Sequence, residues 1–403
     1  MLSEVPEGWT LHRLAELGKI VTGKTPSTTV EDYWGGAIPF ITPTDLRDSP
    51  VVPVTSRHVT EKGAKVGTLL PAGSVLYACI GTVGKSAISH VPSISNQQIN
   101  AVIPNGKTDP SFLYYGLQNC TPLLQSMAGK TAVPIINKTD FGQFRIPLPP
   151  LPEQRKIAEI LGSVDEAIRA TEAVIEQTRR VKKGLLQELL TKGIGHTRFK
   201  KTPIGEIPEG WKVARLDDVS RVIDCKHRTP AYSDRGFPVV RPGDITGGPL
   251  NLETCLKVVQ EEFDDLNEKH RPTVGDIVYS RNQNYGIAAL IETDEEFAIG
   301  QDVCIIHPVK LEPSFLCFAL WSETVWIQIR KIMAGSTFKR INLGEIRKFR
   351  VPVPPRAEPL AIAEKLRSFE NALQTARQES MKLKVVKQGL LQDLLTGKVR
   401  VSV

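Results

Sequence analysis

The chain repeats itself at long range. Phe144 to Pro150, FRIPLPP, returns as Phe349 to Pro355, FRVPVPP, and Val181 to Thr191 returns as Val386 to Thr396, both at a shift of 205. Between residues 149–191 and 354–396, 18 of 43 positions are identical without a gap. A duplication of this length constrains the fold more than any single motif, because both copies must be compatible with one scaffold. The copies agree at their edges and differ in their middles. The pattern therefore predicts one scaffold carrying two different readers.

Each half opens with Pro-Glu-Gly-Trp, at Pro6–Trp9 and Pro208–Trp211. Short apolar segments broken by Gly and Pro follow. Residues 38–45 answer 237–244, residues 70–77 answer 271–279, and residues 97–104 answer 301–308. They read as short strands with turns. A helical stretch follows Pro110 and its twin Pro313, so each half is mixed α and β. Trp9 and Trp211 are read as core anchors. Asn137 and Asn342, each three residues before an acidic residue, are read as helix N-caps.

The pattern then changes. From about Pro152 to Leu190, apolar or small residues fall at 157, 160, 161, 164, 167, 168, 171, 174, 175, 178, 181, 185 and 189, the spacing of one helix face. Pro152 suits the first helical turn and Gly193 the position past the end. The twin runs from about Glu358 to Leu395, with Val386 in its stripe and Gly397 after it. A helix of ~38 residues is ~57 Å long. One small domain cannot cover so long a stripe, so the two helices are expected to pack on each other as an antiparallel coiled coil acting as a rigid spacer. Glu153, Glu159, Asp165, Glu166 and Glu172 crowd the first part of helix one, and Arg179, Arg180, Lys182 and Lys183 its last part. These read as a solvated face matched to the helix dipole. The residues after the second helix resemble the link after the first, which predicts chain ends lying close together.

Charge is a weaker guide. Lys and Arg number 51 against 44 Asp and Glu, a net +7, which permits a polyanion partner without requiring one. The six cysteines show no Cys-x-x-Cys spacing, so no metal site is expected, and reduced buried thiols fit a cytoplasmic protein. No secretory leader pattern or apolar run of the ~18 residues needed to span a bilayer is present, so no membrane association is expected. The segment Gly81-Thr-Val-Gly84-Lys85-Ser86 departs from a phosphate-binding loop, since Cys79 stands where its first Gly belongs. No nucleophile elbow, paired metal-ligand cluster or amino-methyltransferase tetrapeptide occurs. The chain is read as non-catalytic and as binding no cofactor itself.

Three loops differ between the halves. The loop after the first strand holds Lys24 and Thr25 in one half, and Lys226, His227 and Arg228 in the other. The loop after the Tyr77 or Tyr279 strand holds Lys85 in one, and Arg281, Asn282, Gln283, Asn284 and Tyr285 in the other. The loop after the shared Met-Ala-Gly holds Lys130 in one, and Lys339 and Arg340 in the other. Arg and Lys can pair with guanine O6 and N7, and Asn and Gln with adenine N6 and N7. These residues are therefore candidate DNA contacts, the alternative being polar surface turns on a tandem protein-interaction scaffold.

The Pro-Glu-Gly-Trp openings, the run FRIPLPPLPEQRKIA at 144–158 and GLLQELLT at 184–191 closely resemble the specificity subunit of type I restriction–modification systems. The resemblance covers essentially the whole chain. It implies an α+β chain of two tandem mixed α/β target-recognition domains joined by two long helices. The divisions expected are 1–150 (recognition domain 1), 151–194 (spacer helix 1), 195–355 (recognition domain 2) and 356–403 (spacer helix 2 and tail). It also implies that each domain reads one half of a split, asymmetric site in double-stranded DNA. Two DNA adenine methyltransferase subunits would dock on the chain and use S-adenosylmethionine. Restriction subunits using ATP and Mg would join for cleavage. The second copy departs from the first at Pro359-Leu360-Ala361, where the first has Gln154-Arg155-Lys156.

Overall fold

A computed structural model describes residues 5–46, 50–52, 55–129, 133–334, 340–355 and 357–402. The chain forms two compact units, one of residues 1–173 with 377–403, the other of residues 174–376. Each holds the first half of one long helix and the last half of the other.

The duplication is visible strand by strand. In the first unit a four-stranded antiparallel sheet has the order Gly18–Thr22, Ile99–Pro104, Val75–Ala78, Ser86–Ile88. In the second the order is Ser220–Asp224, Val303–Pro308, Ile277–Ser280, Ala288–Leu290. Beside it lies a three-stranded sheet: Arg57–Val59, Trp34–Ile41, Ile94–Ser95 in the first unit, and Leu256–Val258, Phe237–Val240, Ala298–Ile299 in the second. The last pair is parallel in both. A two-stranded ribbon closes each unit, pairing Thr10–Arg13 with Arg145–Leu148, and Lys212–Arg215 with Arg350–Val353. The central strand Val75–Ala78 is buried on both faces: Val75 and Tyr77 pack in one cluster with Phe112 and Leu113, and Leu76 and Ala78 in another. The hairpin Phe199–Thr202 with Gly205–Pro208 belongs to the second unit and was not foreseen.

The expected helices after the two prolines form as Pro110–Asn119 and Pro313–Trp321, with Pro in the first turn. Asp109 Oδ1 accepts from Ser111 N and Phe112 N, and Glu312 Oε2 from Phe315 N, which satisfies backbone donors left over at the helix start. Asn137 caps as expected, accepting from Asp140 N at 2.8 Å. Asn342 occupies the N-cap position of Leu343–Arg347 but makes no side-chain cap bond.

The long helices span Leu151–Lys192 and Glu358–Leu395. In the first unit Lys387 Nζ meets Asp165 Oδ1 at 2.6 Å, and Lys384 Nζ meets Glu172 Oε1 at 2.7 Å. In the second, Lys182 is ion-paired with Glu370. Residue numbers rise on one helix as they fall on the other, so the helices run antiparallel within each unit. Ile168, Ile175 and Leu373 are buried. Val174, Val181 and Val386, which the sequence pattern placed in the apolar stripe, are instead 54, 47 and 50% exposed. A two-helix seam is narrower than the ~100° stripe of a globular helix, and flanking positions stay in water.

Two acidic residues assigned to a solvated face are buried. Asp165 accepts from the Tyr115 hydroxyl at 2.7 Å besides meeting Lys387, and Glu153 accepts from Trp9 Nε1 at 3.2 Å. The twin of that second bond is shorter: Glu358 Oε2 accepts from Trp211 Nε1 at 2.8 Å. The openings of both halves are thus bolted to the starts of the long helices. In the first unit Arg400 pairs with Glu153 and donates to Glu7 O at 2.7 Å, which places residues 7 and 400 together as expected. In the second, Glu358 Oε1 accepts from Ile194 N at 3.0 Å and sits 2.8 Å from His196 Nε2. Gly193 is required there: at φ +65, a Cβ would lie 2.5 Å from Glu358 Oε1. Glu358→Ala removes the acceptor for the buried Trp211 indole and for a backbone N–H, each worth about 1–3 kcal/mol when stranded. The expected loss of stability by denaturant unfolding is about 3 kcal/mol, with a smaller loss for Glu358→Gln. Equal losses for the two variants would show that the acceptor is not what matters.

Burial also sets a pH limit. Burial raises the Tyr77 phenol and the Cys79 thiol to about 12, and the Cys120 and Cys255 thiols to about 11. It raises Cys304 and Cys317 as well. These groups hold their protons more tightly folded than unfolded. Their contribution is complete below the ordinary thiol value of 9.0 and lost as pH rises toward 12. The denaturant midpoint is therefore expected to be flat up to about pH 9 with respect to these groups and to fall above it. A midpoint unchanged between pH 8 and 11 would contradict this.

Candidate nucleic-acid interface

In each unit two of the variable loops converge with the described flank of the third. Strands Gly18–Thr22 and Val75–Ala78 end, and Ile99–Pro104 begins, at one edge of the four-stranded sheet, where Thr22 faces Asn100 and Ala78 faces Ile99. The loop after the first strand and the hairpin after the third therefore flank the segment Asn96–Gln98. The flank of the third loop joins them: Ile136 N donates to Cys79 O at 2.9 Å, and Ile80 bridges Ile135. The second unit repeats this. Arg281 N donates to Asp302 O, Ile341 N to Arg281 O, both at 2.9 Å, and Asn282 bridges Arg340.

In the first unit Lys24 and Lys85 are exposed, and the half-buried Thr25 hydroxyl donates to Gln97 Oε1 at 2.8 Å. Asn96 Nδ2 donates to Gln98 Oε1 at 2.8 Å, and Thr22 Oγ1 to Asn100 Oδ1 at 2.7 Å. The Gly81–Gly84 turn leads into the strand Ser86–Ile88 rather than a helix, so it presents no helix N-terminus to a phosphate. Lys130, and Lys339 in the second unit, lie outside the described residues.

The second unit is more heavily charged and more tied up internally. Lys226 Nζ meets Asp265 Oδ1 and Glu268 Oε2, and Arg228 pairs with both Glu262 and Asp265. Hydrogen bonds donated to these carboxylates raise the pKa of both cations, and the two cations lower that of Asp265. The helix Gln260–Leu266 thus supplies Glu262 and Asp265 to the cations of this loop. His227 is exposed, with Nε2 2.8 Å from Asp224 Oδ2.

Arg281 is 3% exposed. Its NH1 donates to Asp224 Oδ1 at 2.7 Å, and its Nε to Ile341 O at 3.2 Å. In this conformation it ties three loops together beneath the surface instead of projecting from it. Asn282 is also engaged, donating to Asp302 Oδ2 and accepting from Gln283 N. Gln283 and Asn284 are exposed, and Tyr285 is half-buried near Trp326. Arg340 is one-third exposed, its Nε 2.8 Å from Asp302 Oδ1. Between these loops lies a cleft of about 330 Å³, lined in part by Tyr232, Arg241, Asn282, Gln283, Gln301 and Asp302.

Several of these residues escaped the sequence reading: Asn96, Gln97, Gln98, Asp224, Arg241, Gln301 and Asp302. The matched segments beginning at Gln97 and Gln301 held the signal, since both follow a buried strand and open the next. A second polar cluster lies elsewhere in the second unit. His270 Nε2 and His307 Nδ1 sit 2.6 and 2.7 Å from the two oxygens of Asp276, which is 1% exposed and also accepts from Thr273 N. Burial opposes ionisation of Asp276, but the bonds from His270, Thr273 N and His307 outweigh it and lower its pKa. No helix among the described residues is long and apolar enough to cross a membrane.

Comparison with known proteins accords with this geometry. The family model for the type I restriction modification DNA specificity domain matches residues 6–179 and again 208–384, one match per repeat. The MjaVIII type I restriction enzyme specificity subunit of Methanocaldococcus jannaschii is 29% identical over 99% of this chain and 94% of its own. The HindI specificity subunit of Haemophilus influenzae is 35% identical over 36% of this chain and 33% of its own. The fold is that of the solved S subunit of a type I restriction–modification system from M. genitalium, with a TM-score of 0.64, 15% identity and 98% coverage of both chains. Duplicated sheets, paired long helices and a family match on each repeat lead to one assignment: the chain belongs to the type I restriction–modification specificity subunits, the family that determines DNA recognition.

Proposed function

We propose that each unit reads one half of a split, asymmetric site in double-stranded DNA through its loop cluster, and that the helix pair sets the unread gap. The observation that carries this reading is the convergence of two loops and the flank of a third, different between the repeats, at the same edge of the same sheet. A shared scaffold with divergent loops suits two readers of unlike sequence. The chain itself is non-catalytic and binds no cofactor. It docks two DNA adenine methyltransferase subunits, which use S-adenosylmethionine on a flipped base. Restriction subunits, using ATP and Mg, join the same complex in the cytoplasm. Exposed Lys24, Lys85, Gln283 and Asn284, with Thr25, His227, Tyr285 and Arg340, are the described candidates at the DNA face. Lys226, Arg228, Arg281 and Asn282 act there through their internal partners, by shaping the loops.

The test is sequencing of methylated adenines in DNA from cells co-expressing this chain with its partner methyltransferase. Methylation in a split motif that disappears when the chain is omitted is the expected result. A stable complex that neither methylates nor binds DNA in a salt-dependent way would favour a protein-interaction scaffold.

A further inference from the structure

The cations of the second unit's loop cluster are not equivalent. Arg228 has both ends of its guanidinium on carboxylates, and Lys226 lies between two. Arg281 is buried on Asp224, and Arg241 is forked onto Asp244 through Nε and NH2. Arg340 is held differently. Asp302 Oδ1 lies 2.8 Å from its Nε, and among the described residues no carboxylate meets its terminal nitrogens. Among the described residues NH2 has only His227 Nδ1, at the outer limit of 3.5 Å. Neither Asp302 Oδ1 nor Arg340 Nε completes an aligned hydrogen bond, so charge rather than a directed bond holds the arginine. Its backbone is fixed by the bridge to Asn282, while its side chain is one-third exposed.

Resting on the DNA-reading role proposed above, we infer that Arg340 reads a guanine in the half-site of the second unit and that Asp302 is the positioning residue that presents it. Guanine offers O6 and N7 side by side in the major groove, the acceptor pair that fits two parallel arginine N–H groups. An acid at Nε holds the guanidinium from behind and leaves the terminal nitrogens for the base. Asp302 is built for that place. Its second oxygen accepts from Asn282 Nδ2 at 3.1 Å, its backbone carbonyl accepts from Arg281 N, and its own backbone is left-handed at φ +67. Few residues other than Gly adopt that conformation, and Asp and Asn are among them. A carboxylate at a DNA face repels phosphate, so Asp302 contributes to selectivity at the expense of affinity. The first unit has Gln98 and Ile135 at the matching positions, bonded through the same backbone pattern, and lacks this pair. The guanine therefore belongs to one half-site only.

The experiment compares methylation motifs and rates for the full chain co-expressed with its methyltransferase, using the native sequence, Arg340→Ala, Arg340→Lys and Asp302→Asn. Arg340→Ala is expected to reduce discrimination at one guanine by roughly ten- to hundred-fold, the range for loss of a bidentate base contact, with the other half-site unchanged. Arg340→Lys keeps the charge without the fork, so it should retain overall DNA binding and still lose the guanine preference. Asp302→Asn tolerates the left-handed backbone and drops only the charge, and should weaken discrimination at the same guanine. A uniform fall in rate with the motif intact in both Arg340 variants would mean a phosphate contact and overturn the assignment. Full discrimination in Asp302→Asn beside its loss in Arg340→Ala would overturn the role of Asp302. Failure of the native chain to produce a split motif would instead reject the functional reading on which the inference rests.

Discussion

Removing one heptad from each long helix is expected to shorten the unread gap by about 3 base pairs while both half-sites stay the same. Seven residues are ~10 Å of helix at 1.5 Å per residue, and a base pair rises ~3.4 Å. The cut is best placed between Glu172 and Lys182 on one helix and between Glu370 and Lys384 on the other. The flanking ion pairs, Glu172 with Lys384 and Lys182 with Glu370, then survive. A heptad preserves the phase of the buried seam, so that Ile168 stays in register although the first cut removes Ile175, and Leu373 is kept when the second cut falls after it. Deleting four residues instead rotates the seam by more than 30° relative to a whole number of turns and should cost stability without producing a clean new spacing. Three base pairs also turn DNA by ~100°, at ~10.5 base pairs per turn, so slower methylation is expected at the new spacing. Sequencing of methylated DNA reads the gap directly. The same gap in a folded heptad-deletion variant would mean that the helices do not set it.

What the residues disclosed in advance follows from what kind of information each position carries. The repeat, the helix limits near 152–190 and 358–395, and the location of the variable loops were legible because periodicity and self-similarity are properties of one dimension. The convergence of the loops could be foreseen only in part, because it depends on strand order, and the order 18–22, 99–104, 75–78, 86–88 is not sequential. The fate of single polar side chains was least legible. Arg281 stands in a row of amides and reads as a surface residue, yet it occupies the place of buried Cys79 in the first repeat, bonded through the same backbone groups. Matching the two strands residue by residue would have marked it as internal. Lys226 and Arg228 read as a free basic loop, because their acidic partners lie more than 30 residues away, on a helix whose docking no local pattern announces. Glu153 looked like a helix-dipole charge, and the tryptophan partners of Glu153 and of its twin Glu358 lie 144 and 147 residues earlier.

A chain in which the variable middle of the first unit is replaced by that of the second is expected to fold and to methylate a motif carrying the same half-site twice. The junctions can be made where the two repeats are interchangeable. The closing ribbons pair in equivalent register, Thr10 with Leu148 and Lys212 with Val353, and Leu14 N and Leu216 N donate to the matching Phe144 and Phe349 carbonyls at 2.9 and 2.7 Å. Each opening tryptophan is fixed to a glutamate at the start of a long helix. What differs lies inside these boundaries, where the first unit has Thr22, Cys79 and Asn100 and the second has Asp224, Arg281 and Cys304. The exchange must move these together, because Arg281 without Asp224 would leave a buried cation unpaired, at a cost of about 3–5 kcal/mol. A chain given the second unit's hairpin alone should accordingly be unstable, and one given the whole middle should not. Methylated-DNA sequencing distinguishes the outcomes. Retention of the original asymmetric motif by the exchanged chain would place the reading residues outside the middles, and with them the loop clusters would lose their role.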